Sequence, residues 1–268
     1  MGRRGNSPRS CPTLAILKQD MNITKRILAA VVLLTLALPA SFAQEISRDL
    51  KSFKKIIVSP KINLILEQGE NESIRLTHSN VDADKINIKV QGNTLRIYLE
   101  DAKVTEKMYR THENQKRSVY HDAAVTAFVT YKELEHLEIR GNSELTCNGP
   151  LTAERFTLKA YGENNINLAS LRTEYLRTSL FGDNDLNIKT GKAEYQKYKL
   201  FGDNIIDTQD LKSFSATTTI FGDSRIKLNT QDNLKVNAFG ESQVSYNGNA
   251  NVNKGLIFGK ASITKLSN

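Results

Sequence analysis

From residue 139 onward the chain repeats itself: IRGNSEL, AYGENNI, LFGDNDL, LFGDNII, IFGDSRI, AFGESQV and IFGKASI. The glycines stand at 141, 162, 182, 202, 222, 240 and 259, at intervals of 21, 20, 20, 20, 18 and 19 residues. A period of that length is the signature of a solenoid, in which each repeat buries its apolar side only by stacking on its neighbours.

The fourth residue after each glycine is apolar in every copy: Leu145, Ile166, Leu186, Ile206, Ile226, Val244 and Ile263. Two residues further on come Cys147, Leu168, Ile188, Thr208, Leu228 and Tyr246, and two before the glycine Ile139, Ala160, Leu180, Leu200, Ile220, Ala238 and Ile257. A period of two is that of a strand, not of a helix. Strand, glycine turn, strand and short return predict an all-β parallel β-helix of about 20-residue coils, each stacked about 4.8 Å above the last. A leucine-rich repeat would need clustered leucines and a helical return, and a propeller would need about 40 residues per blade with alternating copies.

Three further columns follow from the period. The residue before the glycine is aromatic in six copies, Tyr161, Phe181, Phe201, Phe221, Phe239 and Phe258, with Arg140 in the first. Stacked, these would either staple the coils at a corner or offer a platform for sugar rings, and stapling is the ordinary use of such a ladder. The residue after the glycine is acidic in five copies, Glu163, Asp183, Asp203, Asp223 and Glu241. These suit turn hydrogen bonds first and a cation such as Ca²⁺ second. The next column, Ser143, Asn164, Asn184, Asn204, Ser224 and Ser242, has inward parity and predicts a hydrogen-bonded ladder. As the binding column we single out Asp183, Asp203 and Asp223, with Phe181, Phe201 and Phe221 beside them.

The N-terminus supplies a destination. Residues 21–43 have cations at Lys25 and Arg26, an apolar run of about a dozen residues and the small-residue end Ser41-Phe42-Ala43, the form of a secretory signal peptide cleaved after Ala43. Residues 1–20 precede it as an over-extended start. Residues 1–43 carry six cations against Asp20, which is +5 of the chain's +8 and leaves +3. Such a balance gives no case for nucleic acid, which needs a basic stripe. Cys147 is the single cysteine after the leader, so no intrachain disulfide is expected even in an oxidising compartment. His78, His112, His121 and His136 share no metal-ligand spacing and are expected at the surface, no serine sits in a nucleophile elbow, and no cofactor motif appears.

Residues 44–122 read as short strands (FKKIIVS, INLILEQ, SIRLTHS, KINIKV, TLRIYLE) parted by Pro60, Gly69 and Gly92, then a mixed-charge excursion over 101–122. Residues 123–268 are the repeat part. FKKIIVSPKINLILEQGENESIRL, DKINIKVQGNTLRIYL, VTYKELEHLEIRGNSEL and the GDN-type turns together resemble the DUF2807 family, the head GIN domain proteins named for an autotransporter adhesin and found mostly in Bacteroidetes. The resemblance covers about residues 50–266 and implies an exported, right-handed β-helical protein without transferable catalytic residues. Where the family has Gly-Ile-Asn this chain has Lys61-Ile62-Asn63, so Pro60 is expected to set the turn.

The expected function is that of an exported cell-envelope protein at the periplasm or cell surface. It would bind a polysaccharide or protein through its long face, in an adhesin-like and non-enzymatic way. A polysaccharide lyase or hydrolase on the same scaffold is the alternative, and it would need two or three convergent carboxylates in a groove. A purely structural envelope role is the third reading.

Overall fold

The computed structural model describes residues 1–2, 44–111 and 114–266. The leader and its cleavage point lie outside the described residues. The described residues from 44 onward form one compact unit. Apart from one 3-10 turn at Ala83–Lys85, that unit is built of strands and turns, and it is a parallel β-helix with coils about 20 residues apart.

The pairing follows the period read from the glycines. Leu180 lies on Leu200, Leu200 on Ile220, Ile220 on Ala238 and Ala238 on Ile257. On the other side of each turn Ile166, Leu186, Ile206, Ile226, Val244 and Ile263 are stacked in order. From Ile166 to Val244 this column is at most 1% exposed. Such a Leu or Ile contributes about 1.5–3 kcal/mol by leaving water, which gives each coil its reason to sit on the next.

Alternation of buried and exposed residues slips where consecutive residues face outward, at Glu174 and Tyr175, at Phe181 to Asp183 and at Lys189 and Thr190. Each coil therefore has three sides, 171–173, 175–181 and 185–188 in one repeat and the equivalents 20 residues on in the next. The middle corner is the glycine turn. Gly202 has φ +104°, and a Cβ there would lie 2.5 Å from the carbonyl oxygen of Gly182 in the coil below. The glycines recur because backbone is stacked on backbone at that corner.

The first half is interwoven with the stack. Lys55–Val58 lies under residues 136–139, and Ile62–Gln68 under residues 145–147. Below these lie Thr94–Leu99 and Ala124–Tyr131, again in parallel. These last two strands are the two sides of one coil, so the excursion stands where the coils above have a tight turn. It carries a hairpin of Met108–Arg110 with Lys116–Ser118 and is pinned by buried Ala102 and Tyr120, the latter donating to the Glu100 carbonyl at 2.7 Å. Ser73–Ser79 and Ile86–Gln91 then run antiparallel beneath that coil, and Gln44–Asp49 antiparallel beside Ser73–Ser79.

Two expectations change. Lys61 itself takes the left-handed conformation, φ +68°, rather than Pro60 setting the turn. Register places Pro60 beneath Gly141, so proline occupies the position of the column glycine and Lys61 absorbs the turn. His78 is buried rather than at the surface, 3% exposed with Nδ1 3.0 Å from the Val81 carbonyl, because the antiparallel strand beneath the first coil turns it inward.

Candidate binding face

The aromatic column is a continuous stack. Ring centroids lie 4.9 Å apart for Tyr161 and Phe181, 4.7 Å for Phe181 and Phe201, 5.0 Å for Phe201 and Phe221, 4.6 Å for Phe221 and Phe239 and 5.4 Å for Phe239 and Phe258. Interplanar angles range from 3° to 14°. Each ring from Phe181 to Phe239 thus has both faces covered by its neighbours, and the Arg140 guanidinium closes the lower face of Tyr161 at 5.4 Å. Only ring edges remain for solvent. This is the stapling geometry, and it leaves no open ring face on which a sugar could stack at Phe181, Phe201 or Phe221.

Beside it the inward polar column forms the expected ladder from Asn164 to Ser224, whereas Ser143 is buried without a partner among the described residues and Ser242 donates to the Gly222 carbonyl. Asn164 donates to Asn184 Oδ1 at 2.8 Å, Asn184 to Asn204 Oδ1 at 3.0 Å and Asn204 to Ser224 Oγ at 3.4 Å. All four residues are at most 3% exposed. One amide per coil thus satisfies the next without water.

The acidic column stands outward of that ladder, with Asp183, Asp203 and Asp223 exposed one above another. Its ends are compensated. Asn142 donates to Glu163 at 3.3 Å, Asp223 accepts the Glu241 backbone N–H at 3.1 Å, and Lys260 lies 3.2 Å from Glu241. Among the described residues no three His, Cys, Asp or Glu side chains come together as a metal-ligand group.

Across the aromatic ladder the charge reverses. Arg177 lies in register under Lys197, and Ser179 under Lys199. With Lys159 and His136 from lower coils, these residues line a depression of about 380 Å³. The sequence held a signal for this column that was not read: Lys199 and Lys197 stand two and four residues before the aromatic Phe201, and so share its outward parity. The depression is bordered by Glu138, 8% exposed, which contacts the Arg140 guanidinium and has the His136 Nε2 3.7 Å away. The His136 ring first, and then Arg140, hold its carboxyl down from 4.5 to about 2 against the opposing effect of burial.

The interior is chemically quiet. Cys147 is a free, buried thiol 3.7 Å from the Tyr131 hydroxyl, and burial pushes both groups above their ordinary values. A larger cleft of about 870 Å³ lies between the turns at 67–70, 132–133 and 148–150. Of its carboxylates Glu133 is paired with Lys54 at 2.7 Å. Among the described residues no helix is long and apolar enough to cross a membrane.

A family model described as "Putative auto-transporter adhesin, head GIN domain" (DUF2807) matches residues 52–250. Among curated proteins none matches the chain. Solved structures share the fold. A "putative adhesin" from Parabacteroides merdae is 20% identical, with 85% of this chain and 98% of that one covered at a TM-score of 0.63. A "putative adhesin" from Bacteroides fragilis is 16% identical, with 85% and 99% covered at 0.64. A "Putative lipid binding protein" from Parabacteroides distasonis is 16% identical, with 85% and 98% covered at 0.57.

Proposed function

The chain belongs to the DUF2807 family, the head GIN domain proteins, and on that footing we propose that it is an exported cell-envelope protein that binds a polysaccharide or a protein through the outside of its β-helix without chemically changing it. The observation that carries this is the corner itself, where five successive coils each present one aromatic edge with one acid beyond it. A one-dimensional repeat of identical groups suits an extended partner. Catalysis needs unlike groups converging at one level; at this corner the acids come one per coil, and in the cleft lined by Glu67, Glu70 and Glu133 the last is paired with Lys54 at 2.7 Å.

Asp183, Asp203 and Asp223 are the proposed contacts, as acceptors for hydroxyl or amide donors, with Phe181, Phe201 and Phe221 alongside. The Phe rings offer their hydrogen-bearing edges, which carry partial positive charge and suit oxygen atoms. Export is supported by the leader at 21–43, with its cations, apolar run and small-residue end. N-terminal sequencing of the envelope fraction should find Gln44 first, and a retained Lys25-Arg26 would overturn cleavage.

The test of the binding role is an array of glycans and envelope proteins probed with residues 44–268, read for retention and for new reducing ends. Retention without new ends, weakened by Asp183→Asn, Asp203→Asn and Asp223→Asn together, is the expected result. New reducing ends would remove the non-enzymatic reading, and no retention by either class would remove the binding role.

A further inference from the structure

We propose that the side of the β-helix formed by residues 155–161, 175–181 and 195–201 seats a linear anionic polysaccharide, one that carries a carboxylate or sulfate on every residue or every second residue along its length. This rests on the binding role proposed above and names its ligand class.

The first ground is electrostatic. Like charges directly opposite in neighbouring strands destabilise a sheet, yet Arg177 is stacked on Lys197, with Lys199 beside it. At other places the charge is offset within the chain: Lys227 lies 3.7 Å from Asp207 in the coil below, Lys260 lies 3.2 Å from Glu241, and where Arg172, Lys192 and Lys212 stack in register Lys192 is paired with Glu194 at 2.7 Å. Of the neighbouring carboxylates Glu138 is committed to Arg140, Glu154 to Arg155 at 3.5 Å and Glu194 to Lys192 at 2.7 Å, while Glu174, at the corner before Tyr175, does not line the depression. Among the described residues Lys159, Arg177, Lys197 and Lys199 have no such partner, so the charge they hold is left for something outside the chain.

The second ground is shape and repeat. The cations line a concavity of about 380 Å³ spread over successive coils, a form that takes a strand of polymer rather than a flat lipid surface. They recur along the axis at the coil spacing of about 4.8 Å, and one sugar ring advances a glycan chain by a comparable distance. A polymer laid along the axis therefore meets cations in step with its own acid groups.

The third ground separates a glycan from a nucleic acid. Single strands are held by bases stacked on open aromatic faces; the faces of Phe181 and Phe201 are closed by their neighbours at 4.7–5.0 Å, Tyr175 is closed by Arg155 at 4.6 Å and Tyr195 at 5.1 Å, and Phe214 stands edge-to-face with Tyr195 at 6.5 Å. Beyond those rings stand Asp183 and Asp203, exposed acceptors for hydroxyl groups. A strip with cations on one edge and hydroxyl acceptors on the other matches a sugar chain bearing acids on one side and hydroxyls on the opposite one.

The experiment uses residues 44–268, which contain every described residue of the continuous core. Binding is measured to polygalacturonate, to the same polymer fully methyl-esterified, to dextran sulfate, to plain dextran and to oligothymidylate. Polygalacturonate or dextran sulfate should bind, with affinity falling as salt rises, while the methyl ester and plain dextran should not; whichever polyanion binds assigns the acid group. Lys197→Glu with Lys199→Glu should weaken binding about tenfold or more, because steering and contact charges are both reversed. Lys189→Glu with Lys212→Glu, the same charge change on other sides, should change it less than about threefold. Matching urea midpoints for both pairs keep folding out of the comparison. Equal binding of the methyl ester, equal loss in the two pairs, or oligothymidylate binding as tightly as the polysaccharides would overturn the proposal. If no polyanion binds while the array retains a neutral glycan or an envelope protein, this ligand class fails and the binding role stands; silence throughout removes both.

Discussion

The two ends of the β-helix are closed by different means. At the N-terminal end the chain reverses. Ser73–Ser79 and Ile86–Gln91 run antiparallel under the first coil, and Ile74, Leu76 and Ile86 cover its core, at most 6% exposed. At the other end Asn251–Lys265 pairs, among the described residues, only with Asn233–Asn247, and its inward-column residues Val252, Ile257 and Ile263 are only half-buried. There Lys254 stands in register with buried Val236, and the pairing slips between Val236 and Ala238. A reversed strand closes a parallel stack by covering it, whereas an inward-register charge and a bulge are features that disfavour pairing at an edge.

The regular middle, where neither device is needed, is the least forgiving region. Gly202→Val sets a branched side chain against the Gly182 carbonyl at a positive φ, and it is expected to cost at least about 4 kcal/mol, read as a lower urea midpoint. At Gly92, where an added Cβ meets nothing within 4 Å, Gly92→Asn should cost well under about 1 kcal/mol, since Asn tolerates that backbone. The ends should differ next. Leu76→Ala removes a fully buried side chain and should cost about 3 kcal/mol. Ile263→Ala, already half in water, should cost about 1 kcal/mol, and equal costs would mean that the C-terminal coil is covered after all.

Where the interwoven part meets the regular stack, Glu138 links folding to pH. Its carboxyl is held below the ordinary 4.5 at about 2, so its contribution is complete above the unfolded value and is lost as pH falls from about 4.5 towards 2. Denaturation midpoints of Glu138→Gln should be flatter over that window than those of the parent chain, and parallel curves would remove the linkage.

Smaller effects sharpen the contrast. Lys61→Gly relieves a left-handed residue at the turn beneath Gly141 and should raise stability by about 0.5–1 kcal/mol, the strain relieved exceeding the entropy that glycine adds to the unfolded chain. Lys254→Val should leave the urea midpoint nearly unchanged but make the chain associate with rising concentration, seen by sedimentation. A variant that stays monomeric would show that the bulge alone blunts the edge.

Much of the middle was legible because each coil repeats the surroundings of the last. With identical neighbours above and below, parity alone tells which side of the strand a residue faces. It therefore placed Ile166, Leu186, Ile206, Ile226 and Val244 inward, made the amides of Asn164, Asn184 and Asn204 a ladder, and set Phe181, Phe201 and Phe221 in one column. The cation column obeys the same rule, five and three residues before each glycine, but its residue types change from coil to coil (Thr157 and Lys159, Arg177 and Ser179, Lys197 and Lys199), so no repeated residue marks it.

By itself, then, the sequence determined the coil, its period and the residues that face the core, since these are local consequences of strand alternation and of a turn that only glycine fits. Tertiary structure decided the rest. Which strands lie antiparallel beneath the first coil, why His78 is buried, that Lys61 bends where glycine would, and that ring faces close on one another while Arg177 is brought onto Lys197 all depend on neighbours distant in the chain. No local pattern carries that information, because a strand's partner is set by the summed burial of the whole stack rather than by its own residues.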